Sequence, residues 1–397
     1  MADSTRTQVG IIGAGPAGLV LSHLLHLQGI ESVVLERRTR AYIEDRVRAG
    51  VLEQGTADLL IESGVGERLR REAMIHDGVQ FCVGGHKHRI ALKELTGRSI
   101  AVYSQHEIIK DLVAARLATG AQIHFEARAR RVEGIDGTSP RIQFQSGGQE
   151  HNITCDFVAG CDGFHGIARQ AIPKRVLTEY ERTYPFGWLG ILAAVPPSND
   201  ELMYASHEAG FALLSMRTPE VSRLYLQVDP HDDIKNWPDD RIWEQLHLRL
   251  ASEGWSLTEG AVLQKGITPM RSYVAEPMQY GRFFLAGDAS HIVPPTGAKG
   301  LNLAVADVRV LARAISAYYR SKRADLLDNY SATCLRRVWK VQRFSWWMTE
   351  MLHNTPGETA FDRRRRVAEL DYVFSSAAAA TTLAENYVGL PMDLDES

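Results

Sequence analysis

Three glycines near the N-terminus have the spacing of a phosphate-binding turn. Gly13 and Gly15 lie between an apolar segment at 7–12 and a helical pattern at 16–28, and Gly18 lies at the start of that helical pattern. The first glycine permits a tight turn, the second lets the backbone approach a diphosphate, and the third allows close helix–strand packing. Glu36, at the end of the next apolar segment, is placed to accept hydrogen bonds from ribose hydroxyls. The pattern predicts a dinucleotide-binding unit.

Two more glycine-containing dipeptides end apolar segments later in the chain. Asp162-Gly163 follows the segment 153–159, and Asp288 follows the segment 282–286. A carboxylate at Asp288 can hydrogen-bond the ribityl chain of a flavin, and the amides of the helix that begins near Gly300 suit its electron-rich N1/O2 edge. The three fingerprints together predict one FAD held from three directions. The FAD contacts predicted in this way are Gly13, Gly15, Gly18, Glu36, Asp162, Asp288, Gly300, Leu301 and Asn302.

The order of strand and helix patterns predicts an interleaved α/β fold. Residues 1–76, 106–179 and 271–320 are predicted to form a Rossmann-like FAD-binding domain. Residues 77–105 and 180–270 contain short strand patterns interrupted by Pro, Gly and Asp, which predict a mostly antiparallel substrate domain. Residues 321–397 are predicted to form a helical C-terminal region, with one long helix over 325–351. The substrate domain is therefore expected between parts of the cofactor domain.

Composition and charge exclude several classes of protein. The 397 residues carry a net charge of -3, whereas nucleic-acid-binding proteins normally show a basic excess. No apolar segment reaches the ~18 residues of a membrane span, and the N-terminal residues lack the pattern of a secretory leader. The four scattered cysteines form no CxxC pair, which favours reduced thiols and a cytoplasmic location. No metal site is expected, since His86 and His88 lack an evident third ligand.

Longer strings around these motifs resemble a known family. Residues 160–166 (GCDGFHG) and 287–302 (GDASHIVPPTGAKGLN) are similar to the single-component FAD-dependent aromatic hydroxylases. Residues 385–391 (ENYVGLP) and the pocket residues below are similar to the 4-hydroxybenzoate 3-hydroxylases within that family. The resemblance runs from Gln8 to about Pro391. It implies an enzyme that uses NADPH and O2 to convert 4-hydroxybenzoate into 3,4-dihydroxybenzoate through a flavin C4a-hydroperoxide, with further FAD contacts at Arg48 and Gln105.

One candidate site would hold the substrate carboxylate. Ser215 and Arg217 lie two residues apart in a strand pattern, so both side chains point to one face. An arginine offers a fork of donors that suits a carboxylate. Such alternation more often makes a solvated face, so these residues alone leave the role open. The resemblance implies that Ser215, Arg217 and Tyr225 hold the carboxylate.

The resemblance assigns other residues to the phenol end of the substrate. It implies that Tyr204 contacts the phenol hydroxyl, that Tyr387 is the next link, and that His76 passes the proton to solvent. Deprotonating the phenol increases electron density on the ortho carbon, and histidine titrates near neutral pH. The carbonyl of Pro295 would line the reaction site, and Thr296 matches a pocket residue.

No second GxGxxG is present for a nicotinamide nucleotide. The resemblance implies scattered contacts instead, at Arg37, Arg38, Tyr42, Arg46, His165 and Arg271. Arg37 and Arg38 directly follow Glu36 and can recognise a 2′-phosphate, which favours NADPH over NADH. Arginines on a solvated helix are the alternative. Arg223 resembles a residue that helps the flavin move between an outward and an inward position.

Three alternative functions stay open. The same fold can act on another hydroxybenzoate, including 3,4-dihydroxybenzoate, although Tyr387 and Thr296 match the ordinary hydroxylase. A nicotinamide-dependent dehydrogenase with one Rossmann site would be colourless, whereas a flavoprotein is yellow. A non-catalytic FAD-binding protein would hold flavin without substrate-stimulated NADPH oxidation. A homodimer is expected, and the segment 345–348 belongs to a core or to a subunit interface.

Overall fold

A mixed eight-stranded sheet carries the first glycine-rich turn. The computed structural model describes residues 4–46 and 50–392. The strands of this sheet are β1 (Ser4–Ile12), β2 (Ser32–Leu35), β8 (Gln122–His124), β9 (Arg128–Glu133), β10 (Arg141–Ser146), β11 (Gln149–Gly160), β17 (Gln279–Tyr280) and β18 (Phe283–Leu285). The main path runs β17–β18–β11–β1–β2–β8, and β10 pairs with β11 and β9. The four pairings from β18 to β8 are parallel, as the predicted dinucleotide-binding unit requires.

Helices cover one face of this sheet, and β9, β10 and the 3-10 helix at 168–171 pack against the other, which explains its nearly continuous apolar strands. All four residues of β2 are buried. The helix α1 (Pro16–Leu27) connects β1 to β2 and begins with a proline, whose missing N–H costs nothing at a first helical position. It packs against α8 (Gly300–Ser321), and Leu19, Leu21 and Leu25 are fully buried between them and the sheet. The predicted strand–turn–helix–strand unit is thus confirmed.

The second sheet is mostly antiparallel. Its strands are β5 (Val79–Val83), β6 (His86–Ile90), β12 (Thr178–Ala194), β13 (Met203–His207), β14 (Gly210–Thr218), β15 (Val221–Val228), β16 (Ala261–Glu276) and β19 (His291–Ile292). They follow the order β19–β16–β12–β15–β14–β13–β5–β6, and only the β13–β5 pairing is parallel. The helix α7 (Asp239–Leu250) covers one face through Ile242, Trp243 and Leu246. The opposite face carries the candidate pocket.

Short elements join the two large sheets. A three-stranded antiparallel sheet consists of β3 (Val51–Glu53), β4 (Met74–His76) and β7 (Ile100–Val102), with β7 in the middle. The nearby helices are α2 (Arg40–Asp45), α3 (Gln54–Glu62), α4 (Glu67–Glu72), α5 (Leu92–Thr96) and α6 (Gln105–Ala118). Four 3-10 helices complete this list: Ala168–Ala171, Ile234–Asn236, Gly287–Ala289 and Pro295–Gly297. No helix in the described parts of the chain is long and apolar enough to cross a membrane.

The C-terminal region is helical, as predicted, but one boundary differs. After α8 come α9 (Asp325–Asp328), α10 (Tyr330–Leu352), α11 (Ala360–Ser375) and α12 (Ala377–Val388). The single helix predicted over 325–351 is wrong, because Asn329 interrupts it with φ -90° and ψ 0°. Asparagine competes with the helical backbone for hydrogen bonds and is favoured at helix ends. The α/β fold with a helical C-terminal region is confirmed, while the division into domains stays a prediction.

Candidate active site

The three N-terminal glycines have separate structural roles. Gly13 has φ +104°, and its N–H donates to Leu35 O at 2.7 Å, so the chain turns sharply after β1. A Cβ on Gly18 would lie 1.9 Å from Gly13 O, which explains why only glycine packs there. A Cβ on Gly15 would meet no described atom within 4 Å. The space beside Gly15 at the start of α1 therefore fits a bound phosphate group.

Glu36 stabilises the same turn. Its side chain is 8% exposed, and its two carboxylate oxygens accept hydrogen bonds from Ala14 N at 2.9 Å and Arg38 N at 2.8 Å. Each carboxylate oxygen can accept a second hydrogen bond. Glu36 can therefore hold the turn and still accept from a sugar hydroxyl, as the sequence predicts.

Asp162 supplies an unsatisfied acceptor near the first turn. Its Oδ2 accepts from Ile167 N at 2.6 Å and Ala168 N at 3.0 Å, while its buried Oδ1 has no hydrogen-bond partner within the described residues. Burial raises the pKa of this carboxyl. A buried acceptor that lacks a donor destabilises a folded protein. Asp162 Oδ1 is thus the atom that fits a missing hydroxyl or amide donor.

The third fingerprint lies on a turn that two unforeseen residues support. Asp288 is exposed at the end of β18, as a contact to a ligand requires. The preceding Gly287 has φ +64° and donates its N–H to Asp307 Oδ2 at 2.9 Å. His291 Nε2 lies 2.7 Å from the same oxygen, and this carboxylate raises the pKa of His291. The signal in the sequence was the charged Asp307 among the apolar residues at 303–308 of α8.

The start of α8 presents amides but not the Asn302 side chain. Gly300 is the first residue of α8, a Cβ there would meet nothing within 4 Å, and Leu301 is half-buried. The Asn302 side chain is 2% exposed and bonds to Glu53 N, Val51 O and Ala298 O. Any contact of Asn302 to the cofactor is therefore expected from its backbone. Its amide group holds β3 against the turn before α8.

Two further FAD contacts were predicted from the resemblance. Arg48 lies outside the described residues. Gln105 is the first residue of α6 and is half-buried. Beside it, a Cβ on Gly50 would lie 1.9 Å from Tyr103 O, so two segments of backbone meet closely here. The placement of Gln105 agrees with a ligand contact, and its role stays a prediction.

The predicted nicotinamide contacts form two groups. In the first, the guanidinium groups of Arg38 and Arg46 lie 4.9 Å and 5.8 Å from the centre of the Tyr42 ring. Arg37 is exposed next to them, and its charge lowers the pKa of Asp162 against the effect of burial. This group presents cationic side chains beside the first fingerprint.

The second group surrounds Phe164, directly after the Asp162-Gly163 dipeptide. The Arg271 guanidinium lies 4.8 Å from the centre of the Phe164 ring, and it also pairs with Glu181 at 3.2 Å. The His165 ring contacts Phe164 edge to face at 5.0 Å and is exposed. The two groups offer separated cationic contacts, which is the kind of binding that a chain without a second GxGxxG needs.

The predicted carboxylate-binding residues lie together on the second sheet. Ser215 and Arg217 on β14 are each 9% exposed. Tyr225 on β15 pairs with Leu213 on β14. Burial lowers the pKa of Arg217, and Tyr225 offsets part of this shift. The Arg217 guanidinium reaches Ser104 Oγ at 3.5 Å. An arginine guanidinium can donate two parallel hydrogen bonds to a carboxylate, so this group of side chains fits the carboxylate end of the substrate.

Arg223 lies beside this group rather than among the carboxylate contacts. It pairs with Ser215 across the strands β14 and β15. Its guanidinium lies 5.2 Å from the centre of the Tyr225 ring, and its buried Nε has no hydrogen-bond partner within the described residues. A side chain held by ring contact can shift without breaking a network. This agrees with the predicted role of Arg223 in flavin movement, which stays a prediction.

Two tyrosines from distant parts of the chain meet at the other end of the pocket. The hydroxyls of Tyr204 and Tyr387 are 2.6 Å apart, although 183 positions separate them in the sequence. Tyr204 also donates to Thr296 O at 3.0 Å. Since a hydroxyl carries one proton, Tyr387 then donates to Tyr204. Burial raises the pKa of both tyrosines, so both are neutral near pH 7 in this state.

Thr296 and Pro295 contribute backbone rather than side-chain groups. The Thr296 side chain is fully buried, and its hydroxyl lies 2.9 Å from Thr349 Oγ1 on α10. Pro295 is exposed, and its carbonyl accepts from Ala298 N at 2.9 Å. The turn at 295–298 therefore aims the Thr296 carbonyl at Tyr204. A direct contact of the Thr296 hydroxyl with substrate is not expected from this geometry.

His76 differs from its predicted position at the solvent. Its ring is 1% exposed, because β4 lies against the segment that leads into β13. Nδ1 accepts from Leu202 N at 3.3 Å, and buried Nε2 has no partner within the described residues. No hydrogen bond joins His76 to Tyr204 or Tyr387 in the described structure. A relay through His76 therefore needs an intervening group, and the role of His76 as its outlet stays a prediction.

The burial of His76 is expected to make the protein less stable in acid. Burial lowers its pKa from 6.5 to about 4. Above pH 6.5 the ring is neutral in both states, so its contribution to stability is complete. Below pH 6.5 the unfolded chain binds a proton that the folded chain does not. The free energy of unfolding should fall by up to about 3 kcal/mol between pH 6.5 and pH 4.

Urea denaturation at a series of pH values between 7 and 4.5 measures this effect. His76→Asn removes the titrating ring, so its stability should depend less steeply on pH than that of the wild type. Equal slopes for the two proteins would contradict the lowered pKa of His76.

A buried ionic cluster next to Tyr387 was missed by the sequence analysis. Lys299, at 1% exposure, donates to Glu53 Oε1 at 2.7 Å and to Tyr387 O at 2.8 Å. Arg337 donates to the other oxygen of Glu53 at 2.7 Å. The three charges come from β3, the turn before α8, and α10. The cluster fixes the end of α12 and places a cation behind the tyrosine pair.

Two comparisons identify the family. A family profile described as "FAD binding domain" matches residues 6–345. The chain is 47% identical over 391 residues to p-hydroxybenzoate hydroxylase of Acinetobacter baylyi (strain ATCC 33305 / BD413 / ADP1). The aligned region covers 98% of this chain and 96% of that protein. The chain belongs to the p-hydroxybenzoate hydroxylase family of flavoproteins. The predicted aromatic hydroxylase family and its FAD cofactor are thereby confirmed.

More distant proteins share the fold of this hydroxylase. The crystal structure of p-nitrophenol 4-monooxygenase PnpA from Pseudomonas putida DLL-E4 superposes with a TM-score of 0.83 at 19% identity, covering 98% of this chain and 100% of that one. A probable NADH-specific resorcinol 4-hydroxylase from Rhodococcus jostii (strain RHA1) is 24% identical over 342 residues, covering 82% of this chain and 61% of that protein. The predicted interleaved fold is thus that of flavin monooxygenases.

The residues present fit FAD, and Gly15 offers a direct test. A valine at Gly15 has room in the protein itself but would fill the space expected for the diphosphate. Gly15→Val should therefore fold normally and lose most of its bound flavin. The measurement after purification is the ratio of absorbance at about 450 nm, where flavin absorbs, to absorbance at about 280 nm.

Gly266→Val is the matched control for this change. Gly266 lies on β16, and its Cβ position is equally open, without the positive φ that favours glycine. It should retain a full complement of flavin. Equal flavin content in both variants would contradict the placement of the diphosphate at Gly15.

Proposed function

We propose that the chain hydroxylates 4-hydroxybenzoate at the 3 position. The reaction takes 4-hydroxybenzoate, NADPH, a proton and O2 to 3,4-dihydroxybenzoate, NADP+ and water. One oxygen atom enters the ring and the other leaves as water, and the two electrons come from NADPH. A cytoplasmic location is part of the proposal, supported by four cysteines that are all buried and unpaired by disulfides.

The observation that carries this proposal is a pocket wall with opposite chemistry at its two ends. Tyr204, Leu213 and Tyr225 are cross-strand neighbours on β13, β14 and β15, so their side chains share one face of the sheet. Ser215 follows Leu213 on the same face, about 7 Å further along β14. Arg217 comes next, where the register of β14 shifts. A tyrosine and a buried cation therefore lie along one face of the sheet, with the apolar side chain of Leu213 between them.

The chain's own groups would perform three tasks. Arg217 and Ser215 bind the carboxylate and so fix the ring in the plane of the pocket. Tyr204 accepts the phenol proton as its own proton passes to Tyr387, and Tyr387 releases its proton towards solvent through His76 and an intervening group; this transfer requires the two hydroxyls to reverse their hydrogen bonds first. Burial of both tyrosines keeps water from the ring carbon. When bound, FAD accepts electrons from the nicotinamide and activates O2.

NADPH is the proposed reductant. The support is the exposed pair Arg37 and Arg38 beside Glu36, and the contact of Arg38 and Arg46 with the Tyr42 ring. A 2′-phosphate would bring a second site of negative charge to this group. Replacing Arg38 with serine should lower kcat/KM for NADPH while leaving that for NADH nearly unchanged. Equal losses for both coenzymes would oppose the assignment.

Purified, FAD-loaded protein tests the function directly. NADPH loss is followed with 4-hydroxybenzoate, and the aromatic product is identified by chromatography and mass. We expect fast oxidation of NADPH and formation of 3,4-dihydroxybenzoate. Parallel assays with 3,4-dihydroxybenzoate and other hydroxybenzoates test the same-fold alternative. Oxidation of NADPH that yields only hydrogen peroxide would overturn the proposed substrate, and no substrate-stimulated oxidation would favour a non-catalytic flavoprotein.

A homodimer also belongs to the proposal. Its support is the exposure of large aromatic residues on α10, where Trp339 and Trp346 are each 42% exposed. Aromatic side chains are enriched at interfaces between subunits. Light scattering during size-exclusion chromatography gives the mass in solution. A mass equal to one 44.2 kDa chain over the micromolar range would contradict it.

A further inference from the structure

His353, at the C-terminal end of α10, holds a buried tryptophan in place. Its ring is 1% exposed, and Nε2 accepts from Trp188 Nε1 at 2.7 Å while Nδ1 lies 2.9 Å from Thr349 O. An indole N–H only donates and a carbonyl only accepts, so the ring is neutral with its proton on Nδ1. Burial agrees with this, since it lowers the pKa of His353 to about 3. The ring also stacks on Phe186 and Phe211.

The tryptophan that His353 holds borders the carboxylate end of the pocket. The centre of the Trp188 ring lies 4.8 Å from that of Tyr225. Trp188 also stacks on Phe211 at 5.0 Å, so its indole plane is fixed between two partners. The only polar atom of Trp188 is satisfied by His353. The hydrogen bond to His353 therefore fixes the orientation of the Trp188 indole that contacts Tyr225.

Thr349, one turn earlier on α10, supports the other end of the pocket. Its hydroxyl donates to Ser345 O at 2.7 Å, so its 2.9 Å contact with Thr296 Oγ1 must be a hydrogen bond donated by Thr296. The carbonyl of Thr296 accepts from Tyr204. Thr349 thereby fixes the turn that orients the Tyr204 hydroxyl. Thr349 therefore contacts two groups: its carbonyl contacts His353, and its hydroxyl contacts Thr296. These two sets of contacts are called the His353 branch and the Thr296 branch.

We propose that Thr349 and His353 are positioning residues that hold the two ends of the substrate pocket from one helix end. Thr349 orients Tyr204 through Thr296, and His353 orients Tyr225 through Trp188. The expected kinetic effects rest on the proposed function. The hydrogen bonds that connect Thr349 and His353 to the pocket residues do not depend on it. Neither residue is expected to touch substrate or cofactor. The two should therefore affect different steps when each is changed alone.

Two variants of the FAD-loaded protein separate the branches. Thr349→Val removes the hydroxyl and keeps the carbonyl that His353 contacts. It should lower the yield of 3,4-dihydroxybenzoate per NADPH by about 5-fold, with the Kd for 4-hydroxybenzoate within about 2-fold of the wild type. Thr349→Ser should restore the yield. His353→Phe keeps the ring stacking and should raise that Kd by about 10-fold with a smaller change in yield.

The matched control is Thr382→Val on α12. Thr382 is exposed, and its hydroxyl donates only to Ala378 O, the same kind of bond that Thr349 makes to Ser345 O. Thr382→Val should change neither the yield of 3,4-dihydroxybenzoate per NADPH nor the Kd for 4-hydroxybenzoate. If Thr349→Val resembles this control, or if Thr349→Val and His353→Phe both lose yield and affinity in proportion to a fall in Tm, the positioning role is refuted.

A measurement without substrate separates this inference from the proposed function. The Trp188 indole N–H resonance, assigned by its absence in Trp188→Phe, should move upfield in His353→Phe and stay in place in Thr382→Val. An unchanged resonance in His353→Phe would overturn the link even if the enzyme hydroxylates 4-hydroxybenzoate. A moved resonance in a protein that does not hydroxylate 4-hydroxybenzoate would leave the link intact and reject the proposed substrate.

Discussion

Replacing Arg217 with alanine is expected to raise the Kd for 4-hydroxybenzoate by about 100-fold or more. Arg217 is 9% exposed, so a carboxylate that reaches it leaves water and meets a cation in a poorly screened environment. Removing one partner of such a pair costs about 3–5 kcal/mol, because the other charge is then buried without compensation. The loss should appear in binding, measured by titrating the flavin absorbance or fluorescence with substrate.

Two controls make the Arg217 experiment specific to the carboxylate. Arg217→Lys keeps the charge and loses the two-pronged donor, so its Kd should rise by only about 10-fold. A neutral ligand, 4-hydroxybenzamide, should bind Arg217→Ala and the wild type with similar affinity. If the alanine variant with normal flavin content binds both ligands as the wild type does, Arg217 does not hold the carboxylate.

The cofactor turn could be predicted from the sequence because its logic is local. Gly13, Gly15 and Gly18 lie within six positions, and their separate roles follow from the geometry of one strand, one turn and one helix. The placement of Ser215 and Arg217 on one strand is local in the same way. Periodicity and spacing contain the necessary information in these cases.

The supporting contacts could not be predicted because each joins distant segments. Asp307 bonds to Gly287, Lys299 bonds to Glu53, and His353 bonds to Trp188. Each pair is defined only after sheets and helices have packed, and a single charged or aromatic residue in a sequence does not name its partner. The Tyr204–Tyr387 contact is equally non-local and was found only through the family resemblance.

The same limit explains the two residues whose predicted roles changed. The family resemblance implied that His76 passes a proton to solvent, yet the packing of β4 against the chain before β13 buries its ring. Asn302 was predicted to contact FAD, and its side chain satisfies three backbone groups around β3, which leaves only its backbone for that contact. In both cases tertiary packing decided where the side chain points, which the sequence does not show.

Replacing Tyr204 with phenylalanine is expected to separate NADPH oxidation from hydroxylation. The phenylalanine ring keeps the stacking on Phe81 at 5.5 Å and the edge contact with Tyr387. Substrate binding should therefore change by less than about 3-fold, since the carboxylate contacts remain. Loss of a positioned proton acceptor typically costs a factor of about 100 in the chemical step. NADPH should still be oxidised, with hydrogen peroxide replacing most of the 3,4-dihydroxybenzoate.

Tyr184→Phe is the matched control for the loss of a buried hydroxyl. Tyr184 belongs to the same core cluster, is 2% exposed, and its hydroxyl lies 3.2 Å from Ser272 Oγ, away from the pocket wall. It should keep the wild-type ratio of product to NADPH consumed. A Tyr204→Phe enzyme with that same ratio would show that the phenol proton leaves by another route. The 2.6 Å contact between Tyr204 and Tyr387 would then serve only to join β13 to α12.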